Sequence, residues 1–172
     1  MLTGKPGEIR KVDVNFWNGK RVFLTGHTGF KGSWLSLWLI EMGAIVKGYS
    51  LKPSTSPNLF EELSLGQKMI SEIGDIRNHK QLSESINNFQ PEIILHLAAQ
   101  PLVRASFLNP IETYEINIMG TVHLLESCRN VDNLKSVVII TTDKCYENRE
   151  WHWGYRENER IGGHDPYSSS KG

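Results

Sequence analysis

The sequence predicts an α/β domain built on a doubly wound parallel sheet. Three observations carry that prediction. Five short segments rich in β-branched and other apolar residues recur along the chain, and stretches of helical period and crossover length separate them. A glycine triplet, Gly26, Gly29 and Gly32, falls between the first such segment and the first helix. In sheets of this kind ligands bind at the carboxyl ends of the strands, so the residues just after each segment matter most.

The first strand is read over residues 21–24, followed by the glycine turn and an apolar, largely buried helix that runs to Met42, with Gly43 as its cap. Residues 44–51 form the second strand. It ends in Ser50-Leu51-Lys52, without the carboxylate that often holds an adenosine ribose there, so residues alone leave NAD and NADP undistinguished. Residues 53–66 are a Pro-, Ser- and Asn-rich loop with a helical turn at 59–63. Strand three, 68–73, delivers Gly74-Asp75-Ile76 at its end. Asn78 caps a helix over 79–89 whose Leu82, Ile86 and Phe89 form one apolar stripe, ended by Pro91. The continuous apolar run 92–99 is a central parallel strand leading into Gln100. A long helix over 111–128 carries Tyr114, Ile118, Val122 and Leu125 as apolar positions, with Gly120 allowing close packing on the sheet. Strand five covers 136–142.

Length and charge narrow the function classes. At 172 residues the chain is expected to form one domain, over residues 20–172, behind a polar leader over 1–19 whose Phe16 and Trp17 pack on the domain edge. Nineteen Lys and Arg offset nineteen Asp and Glu with no long run of one sign, which argues against nucleic acid or an anionic membrane as the main partner. Cys128 and Cys145 fit neither a metal-ligand spacing nor a disulfide framework, which suits a reducing cytoplasm. The histidines fall at no metal-binding spacing and are read as packing or loop residues; no metal is expected.

Several polar groups cluster at strand ends. The glycine turn brings backbone close to a ligand, and the helix N-terminus behind it offers unpaired N–H groups to a pyrophosphate. Tyr167 and Lys171 stand one turn apart on one helix face, where the ammonium favours the phenolate over a phenol whose pKa starts near about 10. A solvated helix face explains that spacing in isolation; the strand–helix units upstream favour the chemical reading. Thr142-Asp143-Lys144 places a hydroxyl, a carboxylate and an ammonium together at the end of strand five, fit for proton transfers on a sugar, with a surface ion pair as the simpler alternative. The aromatic cluster over 150–157, with Arg156, suits either a ligand clamp or a self-packed flap.

Together the runs Thr25-Gly26-His27-Thr28-Gly29-Phe30-Lys31-Gly32-Ser33-Trp34-Leu35, Ala98-Ala99-Gln100-Pro101-Leu102-Val103-Arg104, Thr142-Asp143-Lys144-Cys145-Tyr146 and Trp151-His152-Trp153-Gly154-Tyr155-Arg156-Glu157 resemble the nucleotide-sugar dehydratases of the extended short-chain dehydrogenase/reductase superfamily, in particular the CDP-D-glucose 4,6-dehydratases. Lys144 is the specific position, since the related dTDP-glucose enzymes carry glutamate there. The resemblance implies a Rossmann-like fold, NAD as cofactor, CDP-glucose as substrate, and an internal redox cycle: oxidation at C4, loss of water across C5 and C6, and return of hydride to C6. It assigns Thr142, Asp143, Lys144, Tyr167 and Lys171 to catalysis. Cofactor contacts fall to Gly26, Thr28, Gly29, Phe30, Lys31, Gly32, Ser50, Asp75, Ile76, Leu97, Ala98, Ala99 and Gln100, joined by Thr142, Tyr167 and Lys171. It implies a homodimer or higher homo-oligomer through the helices beside the central strands.

Relatives in that family are about twice this length. The helix opening at Asp165 is therefore expected to be the start of a longer protein's second half, leaving no helix under Tyr167, an unprotected edge at strand five and little turnover by the chain alone. A nucleotide-sugar 4-epimerase and a non-catalytic dinucleotide-binding module are the competing readings; the Asp143-Lys144 pair disfavours the first, and the presence of Asp143, Tyr167 and Lys171 the second.

Overall fold

The computed structural model describes residues 12–172; the first eleven residues of the expected leader lie outside the described residues. Five parallel strands form one sheet in the order β3-β2-β1-β4-β5, with β1 Arg21–Thr25, β2 Ile45–Ser50, β3 Ile70–Ile73, β4 Ile93–His96 and β5 Ser136–Ile139. Register pairs Val22 with Val46 and Ile93, and Ile94 with Val137. The order reverses direction between β1 and β4, the switch point at whose carboxyl ends sheets of this kind bind ligands.

Alternation along each strand builds a core on both faces. Val22, Leu24, Val46, Ile93 and Leu95 pack with Leu39 and Met42 on one side, whereas Phe23, Tyr49 and Ile94 meet Leu82, Ile86, Phe89 and Leu124 on the other. The first layer is closed by α2 Phe30–Glu41. The second is closed by α4 His79–Phe89 and α7 Gly120–Cys128, with the short helices α3 Leu59–Glu62 and α5 Val103–Leu108 in the connections. Leu82, Ile86 and Phe89 are buried, and the Asn78 side chain accepts from the Gln81 amide, as the α4 pattern predicts. Ahead of the sheet, α1 Val14–Trp17 sits within the stretch read as leader; Trp17 packs against the first layer and carries the exposed Phe16 edge-on at 5.1 Å.

Two helices turn the opposite way from the apolar count. Gly32, Ser33, Ser36 and Leu39 are the buried residues of α2, while Phe30, Trp34 and Trp38 are 72%, 52% and 51% exposed. The expectation of a largely buried helix is thus corrected. A Cβ on Gly32 would collide with the Gly26 carbonyl oxygen, so α2 sits too close to the turn for bulky residues to fit beneath it. The second case is the helical run formed by α6 Pro110–Tyr114, a π-helical turn over Glu115–Met119 and α7. It buries Thr113, Asn117, Gly120, Leu124 and Ser127 and turns Tyr114, Ile118, Val122 and Leu125 outward. Gly120 rests against Ile76, where a Cβ would come within 2.8 Å of Cγ2. Small residues set the approach here too.

Strand five is shorter than expected, ending at Ile139, after which Ile140 N still donates to His96 O at 3.0 Å. It stands at the edge of the sheet. The chain then forms a single turn of 3-10 helix over Asp143–Cys145 and, after the aromatic segment, α8 Pro166–Lys171. The expectation that no helix holds Lys171 under Tyr167 is overturned, since Lys171 is the last residue of α8. Asp165 caps α8 by accepting from Ser168 N at 2.9 Å, and Ser170 Oγ receives a hydrogen bond from Asn117 Nδ2 at 2.8 Å.

Candidate active site

The glycine turn is shaped by close approach on two sides. Gly26 has φ +77°, donates to Tyr49 O at 3.0 Å, and lies so near β4 that a Cβ would stand 2.8 Å from Ala98 N. Gly29 N donates to Gly26 O at 3.1 Å, and Gly29 itself begins α2 without a side-chain cap. The first α2 amides that find an intrahelical acceptor start at Ser33, whose N donates to Gly29 O, which leaves the preceding N–H groups of a twelve-residue helix for a ligand. Two glycines hold the turn shut, and Gly29 keeps its outer side open.

The residues expected behind that turn serve it from within. Thr28 and Ser50 share a hydrogen bond at 2.8 Å, Ser50 Oγ meets His27 Nδ1 at 3.1 Å, and His27 Nε2 meets Ser71 Oγ at 2.7 Å. Ser50 and Thr28 hydroxyls both also reach the Leu51 carbonyl. These hydroxyls are buried and engaged, so they fix the shape of the loop and do not present a free group. His27 is wholly buried, and that burial lowers its pKa to about 4, which keeps the imidazole neutral. Asp75 is likewise engaged: Arg77 takes its carboxylate through the backbone N at 2.9 Å, Nε at 3.0 Å and Nη2 at 2.6 Å. Hydrogen bonding by Arg77 holds the Asp75 carboxyl below the usual range. Ile76 is buried against α7.

On the β4 side of the switch point, Thr25 organises the start of the loop after that strand. Its Oγ1 accepts from Leu97 N and Ala98 N, both at 3.1 Å, so its one proton goes to His96 Nδ1 at 2.7 Å. Thr121 Oγ1 donates to Asn117 O at 2.7 Å and therefore accepts from His96 Nε2 at 3.1 Å. Both neighbours accordingly select the neutral Nε2–H tautomer, and burial lowers the His96 pKa to about 4. Further along, Asn117 Oδ1 accepts from Gln100 N at 2.9 Å while its Nδ2 reaches Gln100 O and Ser170 Oγ. One buried amide in the π-helical turn thus joins the Ala98-Ala99-Gln100 loop to the helix that carries Tyr167 and Lys171.

The residues expected to be catalytic lie on the turn after β5 and on α8, two elements packed against each other. Thr142 Oγ1 accepts from Lys144 N at 3.3 Å and donates to Asp143 Oδ1 at 3.2 Å. Both side chains of the Asp143-Lys144 pair are exposed, and α8 packs against this turn. Lys171 Nζ donates to Ile140 O at 3.0 Å, and burial holds its pKa below the ordinary lysine value. Tyr146 and Tyr155 stack at 5.3 Å and Trp151 packs on Tyr155 at 5.8 Å, so the aromatic segment is a self-packed flap with Trp153 and Arg156 on its outside. His27 and His96, expected as packing residues, tie loops together through their ring nitrogens, and Thr25 and Asn117 are positioning residues that the sequence does not single out. The available signals were a polar pair opposite one another in the β1–β4 register and an asparagine on the buried side of an otherwise apolar helix.

Sheet order, switch point and glycine turn define a dinucleotide-binding domain of Rossmann-like architecture. The chain belongs to the GDP-mannose 4,6 dehydratase family, whose sequence profile matches residues 23–172. It is 67% identical over 161 residues to a CDP-glucose 4,6-dehydratase of Salmonella typhimurium, covering 94% of this chain and 45% of that protein. It is 30% identical over 169 residues to a CDP-paratose 2-epimerase of Salmonella typhi, covering 88% and 50%. Among solved structures, a UDP-glucose 4-epimerase of Thermotoga maritima with UDP-glucose superposes with a TM-score of 0.77 at 26% identity, covering 88% of this chain and 47% of that one. A UDP-glucose 4-epimerase of Brucella ovis in complex with NAD gives 0.75 at 25%, covering 89% and 45%. The chain spans about half the length of the curated relatives it matches. Among the described residues no helix is long and apolar enough to cross a membrane.

Proposed function

We propose that this chain is the cofactor-binding and proton-transfer part of an NAD-dependent CDP-glucose 4,6-dehydratase. The observation that carries the reading is the Thr142-Asp143-Lys144 turn packed against the helix bearing Tyr167 and Lys171. The 67% identity to a relative so named supports the sugar and its nucleotide, and a similar epimerase solved with NAD supports the cofactor.

The residues present fit NAD. Cβ atoms at Gly26 or Gly32 would fill backbone space that the turn uses, and the open amides of α2 would hold the pyrophosphate. Main chain around Asp75 and Ile76 would border the adenine, and Leu97 to Gln100 would border the ribose and nicotinamide side. NAD, when bound, supplies the hydride acceptor and donor of the cycle. Tyr167 serves as the base that takes the proton of the C4 hydroxyl, with Lys171 on the same helix, while Thr142 aligns that hydroxyl. Asp143 protonates the departing 6-hydroxyl, and Lys144 removes the proton at C5. The outward stripe of Ile111, Ile118, Val122 and Leu125 supports a homodimer through α6 and α7.

Calorimetric titration of the chain with NAD tests the cofactor reading: saturable one-to-one binding, abolished by Gly29→Val, is expected, and no binding refutes it. In an enzyme of the relatives' full length carrying these residues, replacing Asp143 with Asn and Lys144 with Met is expected to stop dehydration of CDP-glucose and to leave C4 oxidation, seen as accumulating NADH absorbance. Unchanged 4-keto-6-deoxy product refutes the assignment of that pair.

A further inference from the structure

We propose that the aromatic flap after β5 is a wall of the sugar subsite, with Trp153 and Arg156 as substrate-binding residues for the glucosyl unit. The inference rests on the dehydratase reading above and names what holds its sugar. The flap, residues 146–161, is closed at its neck by an antiparallel bridge between Tyr146 and Ile161. Glu147 N donates to Arg160 O at 2.9 Å, and Gly162 N to Cys145 O at 2.8 Å. Both sides of the neck are joined to elements assigned to proton transfer. The incoming side continues directly from the Asp143–Cys145 turn. The outgoing side runs against α8, since a Cβ on Gly163 would stand 2.4 Å from the Ser168 Cβ. A glucosyl unit that reacts at Asp143 and Lys144 therefore has this neck beside it.

Within the flap most groups are already engaged. Tyr155 stacks on Tyr146, Trp151 packs on Tyr155, and the Tyr155 hydroxyl accepts from Arg149 N and donates to Asn148 Oδ1, each at 3.0 Å. Arg149 and Arg160 both pair with Glu147, at 3.1 and 3.9 Å, and the Arg149 guanidinium also lies over the Trp151 ring. Two large side chains are left over. Trp153 meets the Trp151 ring at 5.7 Å yet is 68% exposed. Arg156 is exposed and, among the described residues, is the one arginine of the flap in no ion pair. A frame tied by its own stacks and hydrogen bonds, with one ring and one guanidinium outside it, is preorganised to meet a ligand at small further ordering cost.

The chemistry of the pair selects the sugar over the diphosphate. An indole gives a broad apolar surface to the C–H face of a pyranose, and a guanidinium gives a fork of donors to its hydroxyls. The flap as a whole repels a diphosphate, because residues 146–161 hold four glutamates against three arginines and two of those arginines are held by Glu147. Thr142, Asp143, Lys144 and Tyr167 attend to C4, C5 and C6, so the hydroxyls left for Arg156 are those at C2 and C3, which do not react. Contacts on that edge keep the ring in one place while the other edge passes through oxidation, elimination and reduction.

The test uses an enzyme of the relatives' full length carrying these residues, with CDP-glucose as substrate and CDP, which lacks the sugar, as competitive inhibitor. Trp153→Ala and Arg156→Gln are each expected to raise the KM for CDP-glucose about tenfold, with the inhibition constant of CDP and the affinity for NAD unmoved. Trp153→Phe restores a ring and is expected to recover most of the loss; Arg156→Lys keeps the charge without the fork and is expected to recover little. Both positions are exposed, so the substitutions remove no core packing, and calorimetric NAD binding verifies the fold. Unchanged KM in Trp153→Ala and Arg156→Gln overturns the inference. An inhibition constant for CDP that rises in step with KM also overturns it, since the two groups then serve the nucleotide. A wild-type enzyme that binds no CDP-glucose refutes the dehydratase reading and this inference with it, whereas a wild type that converts CDP-glucose beside variants sharing its KM refutes this inference alone.

Discussion

Lowering the pH from 7 to 4 should unfold this domain through two buried histidines before its carboxylates are protonated. His27 and His96 are 0% and 1% exposed, and each is shifted by burial from 6.5 to about 4. In the unfolded chain both titrate near 6.5, so between pH 6.5 and 4 the unfolded state binds more protons and stability falls as the pH falls. The stabilisation is whole above pH 6.5 and is lost as the pH drops through about 4. A shift of that size corresponds to about 3 kcal/mol for each histidine, or about 6 kcal/mol together, against a total of ~5–15 kcal/mol for a domain. Geometry supplies the reason at His96: a proton on Nδ1 would confront Thr25 Oγ1, whose lone pairs already serve Leu97 N and Ala98 N. Asp75 and Asp165, whose pKa values are also shifted down, act in the same sense in a lower window, their stabilisation being lost only as the pH falls below the ordinary carboxylate range. The assay is urea denaturation at half-unit steps from pH 7.5 to 4, beside His96→Asn, whose Oδ1 can replace Nδ1 as acceptor. The variant should be less stable at pH 7, yet its stability should fall about half as steeply below pH 6.5. A wild-type profile flat from pH 7 to 4.5, or a variant with the wild-type slope, refutes the reasoning.

Other substitutions probe single contacts. Thr25→Val keeps the shape but strips an acceptor from two amides and a donor from His96; a loss of about 2–4 kcal/mol in denaturant midpoint experiments is expected. Gly32→Ala, which drives a Cβ into the Gly26 carbonyl, should lower the melting temperature and abolish NAD binding together. Gly29→Ala meets only Gly26 O at 3.4 Å at an ordinary φ of −74°, so the melting temperature should hold while NAD affinity falls in calorimetry. Gly120→Ala should cost about 1–3 kcal/mol by overpacking against Ile76, and adding Ile76→Ala should remove that coupling in a double-mutant cycle.

The parts legible in the sequence were those encoded locally. Five apolar runs bounded by turn residues located the strands, and the Asn78 cap, the Leu82–Ile86–Phe89 stripe and the αL conformation of Gly43 all follow from neighbours within one or two turns. What could not be read depends on residues far apart in the chain. Thr25 and His96 are 71 residues apart, and nothing local says that their hydroxyl and imidazole face each other across the β1–β4 register. Asn117 joins Gln100, 17 residues before it, to Ser170, 53 after. Its polarity marks it only once its helix is known to bury that side. The α8 turn is legible from Asp165-Pro166, yet what steadies it, Ile140 O and Asn117, is contributed by other elements.

The two helices with reversed faces share one physical cause, and it links fold to function. A dinucleotide site at a switch point needs helix ends and strand ends within backbone contact, and only Gly32, Ser33 and Ser36 on α2, or Gly120 on α7, permit that approach. Once the small residues are committed inward, 3.6-residue geometry leaves Trp34 and Trp38, or Ile118, Val122 and Leu125, pointing away from the sheet. Apolar bulk on those outer faces contributes nothing to the domain core and carries a cost in water that only another surface can relieve. Tight cofactor cradles and sticky outer faces are therefore two results of a single seating requirement. Enlarging Gly32 or Gly120 should loosen the cradle and at the same time tilt the helix above it, so cofactor affinity and the exposure of that helix's outer face should change together.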